Sequence, residues 1–463
     1  MGQDVQQLTF DFLPQLPVVV QQHSGSISTD AGLLPIAQFD HNWGFTQRLV
    51  DCIHAEPNPD PRQSHYKPHP RHAHLPMLRQ RLFGILAGYE DCNDHDTLRY
   101  DSIFKIVAGR LPNDADLASQ PTLSRFENSI RPADLQRMID FNIRTGIERL
   151  KAAHGGSLPA CLTLDLDATD DPTHGRQQLT LFHAYYGQFQ YFPLIISEPV
   201  TKHIFLAWLR PGTVHASLGA DEDLKRVVDA LRAERPDIVI HVRGDAGFGL
   251  PRMYEACEAM PNTTYTLGFT TNVRLKKLTE PLMQKAVEEY ERTKQKQRLF
   301  MCMSYQCDSW ERPRTVVAKA ECHMGGTNLR FVVTNLTGID TPQQGEKIYD
   351  DYIQRGESEH RMDELKNGLH MDRLSCHRFM GNFFRLLLHT AAMNLLNAIR
   401  QDSSLPEVLQ KGQPCTWRTH LIKVAAVVRQ TARRVVVELS EQWPWWPMFE
   451  AVGQRALAFQ SSS

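Results

Sequence analysis

Acidic side chains at two strand ends and on one helix face have the types and spacing that phosphodiester chemistry needs. In LTLDLDATDD, apolar and acidic residues alternate, which puts Asp165 and Asp167 on one face of a strand. The apolar run IVIHVRGD ends in Asp245, and a carboxylate at the C-terminal end of a strand points into the ligand crevice of an open α/β sheet. Taken singly, each such Asp is more simply a cap of the next helix or turn. The segment YDDYIQRGESEHRMDELKNGLH reads as a helix carrying Tyr352, Arg355, Glu359 and Lys366 at offsets 0, 3, 7 and 14. At about 100° per residue they fall within one arc of about 60°. Such a stripe is a poor core seam. It suits a surface where the carboxylate holds a metal ion and the cations meet phosphate oxygens, Arg bidentately. The competing reading is a solvated face with an Arg355/Glu359 pair contributing only about 0.3–0.5 kcal/mol. Together, Asp167, Asp245 and Glu359 make a three-carboxylate set able to bind two Mg²⁺ (or Mn²⁺) ions, which prefer oxygen ligands. Two ions about 3.5–4 Å apart can activate an attacking water or 3′-hydroxyl and stabilise the leaving oxygen of an in-line displacement.

These segments resemble the cut-and-paste DDE transposases of bacterial insertion sequences (transposase DDE domain group 1), in the branch whose last carboxylate lies in a Y-x-x-R-x-x-x-E-(x)6-K helix. Tyr352, Arg355, Glu359 and Lys366 match that spacing at every position. LDLDATDDPTHG resembles the first-Asp segment, where the ligand stands two residues before Thr, which favours Asp167 over Asp165; Asp170 and Asp171 are remoter candidates. VRGDAGF, with Asp245, resembles the second-Asp segment. QPTLSRFEN and RTVVAKAE…RFVVTNLTG extend the likeness over most of the chain. The resemblance implies a ribonuclease H-like core and a β-rich insertion before the Glu helix. It also implies recognition of terminal inverted repeats by a homodimer, and Mg²⁺-dependent cleavage at the element ends. Attack of the freed 3′-hydroxyl on target DNA would follow. Asp167, Asp245 and Glu359 would hold the metal pair while Tyr352, Arg355 and Lys366 position DNA. In related transposases an insertion Trp stacks on a flipped base, which makes Trp310 in SYQCDSWERPR a candidate; a buried structural Trp is the alternative.

The elements that must position these residues follow from the patterning. Residues 1–155 read as an acidic arm and a helical DNA-binding region, in which DADLASQPTLSRFENSI makes two short helices divided near Pro121, and Thr122, Arg125 and Asn128 can face a DNA groove or pack on a bundle. Residues 156–270 alternate strands and helices in the order of an α/β, mixed-sheet core. Residues 271–339 read as a β-rich insertion subdomain, and 340–400 complete the core with the Glu helix. Residues 401–463 read as a C-terminal helical region in which TWRTHLIKVAAVVRQTARRVVVEL is one helix.

Over 463 residues, 51 Lys and Arg against 53 Asp and Glu give a net charge of −2, so no global basicity argues for nucleic acid. Local charge does: residues 271–345 carry 12 basic against 8 acidic residues. Residues 411–435 hold Lys411, Arg418, Lys423, Arg429, Arg433 and Arg434 with no acid. Nine dispersed cysteines, no basic targeting start and no long apolar run point to a cytoplasmic protein without a membrane span, and the resemblance implies that it is nucleoid-associated when bound to DNA. Cys302, Cys307, Cys322 and His323 lack the usual zinc spacing. GDAGFG has no P-loop Lys-Ser/Thr, so no nucleotide cofactor is expected. The His-rich run HYKPHPRHAH reads as a polar loop. The alternatives are a metal-dependent nuclease of the same fold that cuts without joining, a decayed sequence-specific DNA-binding protein, and an interaction protein whose acids form an ion-pair network.

Overall fold

The computed structural model describes residues 7–10, 16–21, 25–54, 73–173, 175–183 and 186–459. The run HYKPHPRHAH lies outside the described residues except for its last two members. At the centre is an eight-stranded sheet in the spatial order Gln297–Tyr305, Arg314–His323, Gly326–Thr334, Thr263–Phe269, Val239–Gly244, Cys161–Ala168, Leu194–Ser197, Ile204–Trp208. Val239–Gly244 runs parallel to both of its neighbours, and the other pairs are antiparallel. Numbered along the chain from Cys161, the five strands between Thr263–Phe269 and the far edge read 5-4-1-2-3. Only strand 2 opposes strand 1, which is the ribonuclease H-like arrangement in a mixed α/β protein. Leu162, Leu164 and Leu166 are buried on one face of strand 1, while Asp165 and Asp167 lie buried on the other. A central strand covered on both sides leaves no solvated face for its acids, so each must find an internal partner.

The helical layer is built on Phe379–Arg400, buried along most of its length against the helices His74–Ala87 and Pro132–Ala153 and the strand Ile204–Trp208. Its one internal arginine, Arg385, donates from Nε to Glu127 at 2.7 Å, and Arg81 of His74–Ala87 donates to the same carboxylate at 2.7 Å. One fully buried Glu therefore links three helices, and the two guanidiniums overcome burial to hold it down at about 2.

Several elements depart from the sequence reading. Residues 271–339 supply the helix Val273–Thr293 and three strands that extend the core sheet rather than forming a sheet of their own, because Gly326–Thr334 pairs with Thr263–Phe269 from Thr266↔Thr334 to Phe269↔Phe331. The two helices expected around Pro121 are one, Gln120–Glu127, with Pro121 in its first turn where a missing N–H costs nothing. The expected continuous Glu helix is broken. Pro342–Ile353 ends, a tightened turn of i→i−3 bonds spans 354–358, Gly356–Asp363 resumes, and Glu364–Gly368 widens into a π turn. Tightening and widening change the rotation per residue, so a uniform 100° stripe no longer describes where Glu359 and Lys366 point.

The C-terminal region is not wholly helical. Val-rich segments form a hairpin, Ala426–Gln430 with Val435–Leu439, and a third strand, Ser26–Ser28, pairs antiparallel with Ala426–Gln430. β-branched residues favour this pleated pairing, and only Trp446–Ala458 remains as a long helix there. The same junction brings Gly32 so close to the carbonyl of Leu421 that a Cβ would overlap it at 1.8 Å, and Lys423 pairs with Asp30 at 2.6 Å.

Candidate active site

Strand 1 and strand 4 end side by side. Asp165 is paired in register with Arg243, and Leu166 with Gly244, so Asp167 and Asp245 each lie one residue beyond at the C-terminal rim. The two acids of strand 1 have different surroundings. Asp165 is fully buried, receives Nε and Nη2 of Arg243 at 2.8 and 3.2 Å, and is also held by Arg361. Asp167 receives Nη1 of Arg355, at 3.2 Å, through Oδ1, and its buried Oδ2 has no partner within hydrogen-bonding distance among the described residues. Burial pushes the Asp167 carboxyl up to about 6, against hydrogen bonding from Ser358 and the pull of Arg355.

Arg355 joins the strand to the Glu helix. The tightened turn at 354–358 lets one guanidinium reach back to Asp167 and forward to Glu359, whose Oε1 accepts Nη2 at 2.9 Å. Burial works against the Arg355 charge, but Tyr352, Asp167, Asp245 and Glu359 together hold it above its ordinary value. All three candidate carboxylates thus act on a single cation. Lys366 lies further along and donates to Asp170 at 2.8 Å, while Gln188 donates to the other oxygen of Asp170 at 3.1 Å. Asp171 is fully buried with neither oxygen partnered among the described residues, and burial raises its carboxyl well above the carboxylate range.

The rim depends on a close backbone approach that the sequence reading missed. Asp245 opens a tight turn in which its Oδ1 accepts the Gly247 amide at 2.9 Å. Gly268, on strand 5, faces that turn: a Cβ there would lie 2.6 Å from the Ala246 nitrogen, 2.7 Å from the Tyr352 hydroxyl and 2.9 Å from the Asp245 carbonyl carbon. Only a glycine lets Tyr352 pack beside Asp245. The roles of Arg243 and Arg361 were also missed; the signal available was a guanidinium inside an apolar strand, VIHVRG, which needs a buried acid opposite it.

Two sequence candidates lie elsewhere. Trp310 is only 4 % exposed, boxed by Tyr254, Phe269 and Tyr305 at ring separations of 5.4, 5.2 and 5.8 Å with Arg314 over its face. In the DNA-free protein it is a core residue with no ring face open to a base. Arg125 is exposed on Gln120–Glu127, donating to Thr122 at 3.1 Å, while Thr122 itself is buried and faces no groove.

The donors at the rim are all carboxylate oxygens, and Asp167 Oδ2 is a buried acceptor without a donor, which fits a hard divalent cation. Among the described residues no three His, Cys, Asp or Glu side chains are gathered closely enough to hold a metal, Cys302, Cys307, Cys322 and His323 included. Arg355 instead stands between Asp167 and Glu359. No helix among the described residues is long and apolar enough to cross a membrane.

A search of the curated proteins finds no match. Among solved structures, the chain is similar to one described as "Cryo-EM structure of piggyBac transposase synaptic complex with hairpin DNA (SNHP)", at 13 % identity and a TM-score of 0.43, with 85 % of this chain and 77 % of that one covered. The family model for the transposase DDE domain, group 1, matches residues 10–459. That match takes in the strand ends and the broken Glu helix, and the protein belongs to the DDE transposase family.

Proposed function

We propose that this transposase binds the terminal inverted repeats of an insertion sequence as a homodimer, cleaves the DNA at the element ends and joins the 3′-hydroxyl ends to target DNA. The observation that carries the reading is Arg355: one guanidinium ties the strand-end Asp167 to Glu359 of the Glu helix, with Asp245 acting on it as well. Residues far apart in the chain thereby share one electrostatic centre at the rim of the sheet.

Asp167, Asp245 and Glu359 would hold the metal ions. When bound, two Mg²⁺ would activate the attacking water or 3′-hydroxyl and stabilise the leaving oxygen. The chain's own groups supply position and charge. Asp165, with Arg243 and Arg361, fixes the height of strand 1 so that Asp167 stands at its end. Gly268 admits Tyr352 beside Asp245. Arg355 and Lys366, each engaged with an acid of the site in the DNA-free protein, exchange those acids for phosphate oxygens, Arg355 bidentately.

Purified protein incubated with a duplex bearing the element's end and Mg²⁺ should release a 3′-hydroxyl end and join it to a second duplex. Asp167→Asn, Asp245→Asn and Glu359→Gln should each retain end binding and lose both steps. Cleavage retained by any one of them removes that residue from the assignment. Cleavage by wild type without joining of pre-cut ends would make the protein a nuclease.

A further inference from the structure

A cleft of about 680 Å³, lined by none of Asp167, Asp245 and Glu359, opens between the helix Gln120–Glu127, the turn at Asp91–Asn93 and the segment Ser375–Arg378 that enters Phe379–Arg400. We propose that this cleft is a second DNA-contact site that grips the phosphate backbone of duplex outside the catalytic centre, with Arg125 and Arg378 as its cations. The proposal rests on the transposase reading above.

Charge balance within the lining is the first support. Asp91 is the one acidic residue among the lining side chains, and it is already engaged by Ser375 at 2.7 Å and faced by Arg385 at 3.7 Å. Arg385 is itself committed to Glu127. Arg125 makes its bond to a neutral hydroxyl, and Arg378 is exposed with no carboxylate partner among the described residues. Two guanidiniums thus face a cleft with no free acid to neutralise them, and the remaining walls offer amide and hydroxyl groups from Gln120, Asn128 and Ser124. Guanidinium, amide and hydroxyl donors are the groups that bind phosphate and sugar oxygens.

Connection to the catalytic rim is the second. The loop that follows Asp171 is tied to the cleft wall: Gln177 donates to the Leu374 carbonyl at 2.9 Å, the Gln178 amide to that of His377 at 2.9 Å, and His377 Nδ1 lies 2.7 Å from the Arg176 carbonyl. On the other side, Ser375–Arg378 continues the chain directly from the Lys366 turn. The residues that follow the first-strand acids and the wall that carries Arg378 are thereby hydrogen-bonded to one another. An acidic protein segment is the other polyanion that would meet two free guanidiniums, and the experiment distinguishes the two.

The test is fluorescence anisotropy with the full chain and a labelled duplex of random sequence, titrated over a range of salt, for wild type, Arg125→Ala/Arg378→Ala and Arg125→Lys/Arg378→Lys. The Ala pair should bind more weakly, with the slope of log Kobs against log[salt] shallower by about 1 to 2, while the Lys pair, which keeps both charges, retains the wild-type slope. A thermal melt unchanged in the Ala pair excludes loss of fold, as both side chains are exposed or half-exposed. Identical affinity and slope in wild type and Ala pair would overturn the cleft assignment alone, because wild-type binding would still stand. Absence of wild-type binding would instead sink the transposase reading. Loss of binding to labelled polyglutamate in the Ala pair, with DNA binding unaffected, would also overturn the proposal in favour of a protein partner.

Discussion

Asp165 and Asp167 stand two residues apart on one face of one strand, yet Asp165 is saturated by two arginines while Asp167 keeps a buried oxygen without a partner. Proximity in sequence conceals a division of labour. Asp165 holds the sheet to the Glu helix, and Asp167, paired with Arg355 through Oδ1, leaves Oδ2 for a ligand.

Asp165→Asn therefore should destabilise the protein by about 3–5 kcal/mol, because two buried guanidiniums lose their counter-charge. Asp167→Asn should change stability by less than about 1 kcal/mol, since it relieves a carboxylate that burial already disfavours. Urea denaturation of the two variants side by side measures this, and equal losses would refute the division.

Arg355 occupies the position between Asp167 and Glu359 that a divalent ion needs. A unit charge about 4 Å away is worth about 4 kcal/mol at an effective dielectric near 20. Arg355→Ala should accordingly tighten Mn²⁺ binding to the DNA-free protein by tenfold or more, measured by titration calorimetry, while weakening DNA-end binding. Unchanged or weaker Mn²⁺ affinity would show that the guanidinium does not compete with metal.

At Gly268 the three nearest atoms to an added methyl are two backbone atoms and a tyrosine hydroxyl, none able to withdraw freely. Gly268→Ala should retain the fold and displace the Asp245 turn or Tyr352. Strand cleavage should then fall by a factor of about 10². Wild-type cleavage rates in a folded Gly268→Ala protein would show that this approach is not needed.

Glu127 is held at about 2 in the folded protein against an ordinary value of 4.5. A depressed acid stabilises fully above its unfolded value and loses that contribution as pH falls towards its folded one. Stability should thus decline between about pH 5 and pH 2. Glu127→Gln should be destabilised at neutral pH, because Arg81 and Arg385 remain buried and unpaired, and its stability should vary less over that acid range. Parallel acid curves for wild type and variant would contradict this account.

What the sequence made legible was local. The alternating acids of strand 1, the abrupt end of strand 4 at Asp245 and the spacing of Tyr352, Arg355, Glu359 and Lys366 are set by residues within one element, and periodicity reads such patterns. The choice between the two readings of Trp310 could not be made there, because its burial by Tyr254, Phe269 and Tyr305 is a tertiary fact with no trace in SYQCDSWERPR. The hairpin at 426–439 was misread as helix because Ala and Val repeat at both periods there, and the partner that decides for strand, Ser26–Ser28, comes from the other end of the described chain. Arg355 as a bridge was hidden for a similar reason: the i, i+4 contact to Glu359 is visible in sequence, whereas the contact to Asp167 needs the tightened turn that breaks the helix.

That union of Ser26–Ser28 with Ala426–Gln430 also has a consequence for biosynthesis. A ribosome makes the early strand long before its mate, so the nascent polypeptide carries an unsatisfied edge throughout translation. Closure of the molecule awaits emergence of the late hairpin, and a prematurely terminated product would lack the latch that fastens one extremity to the other.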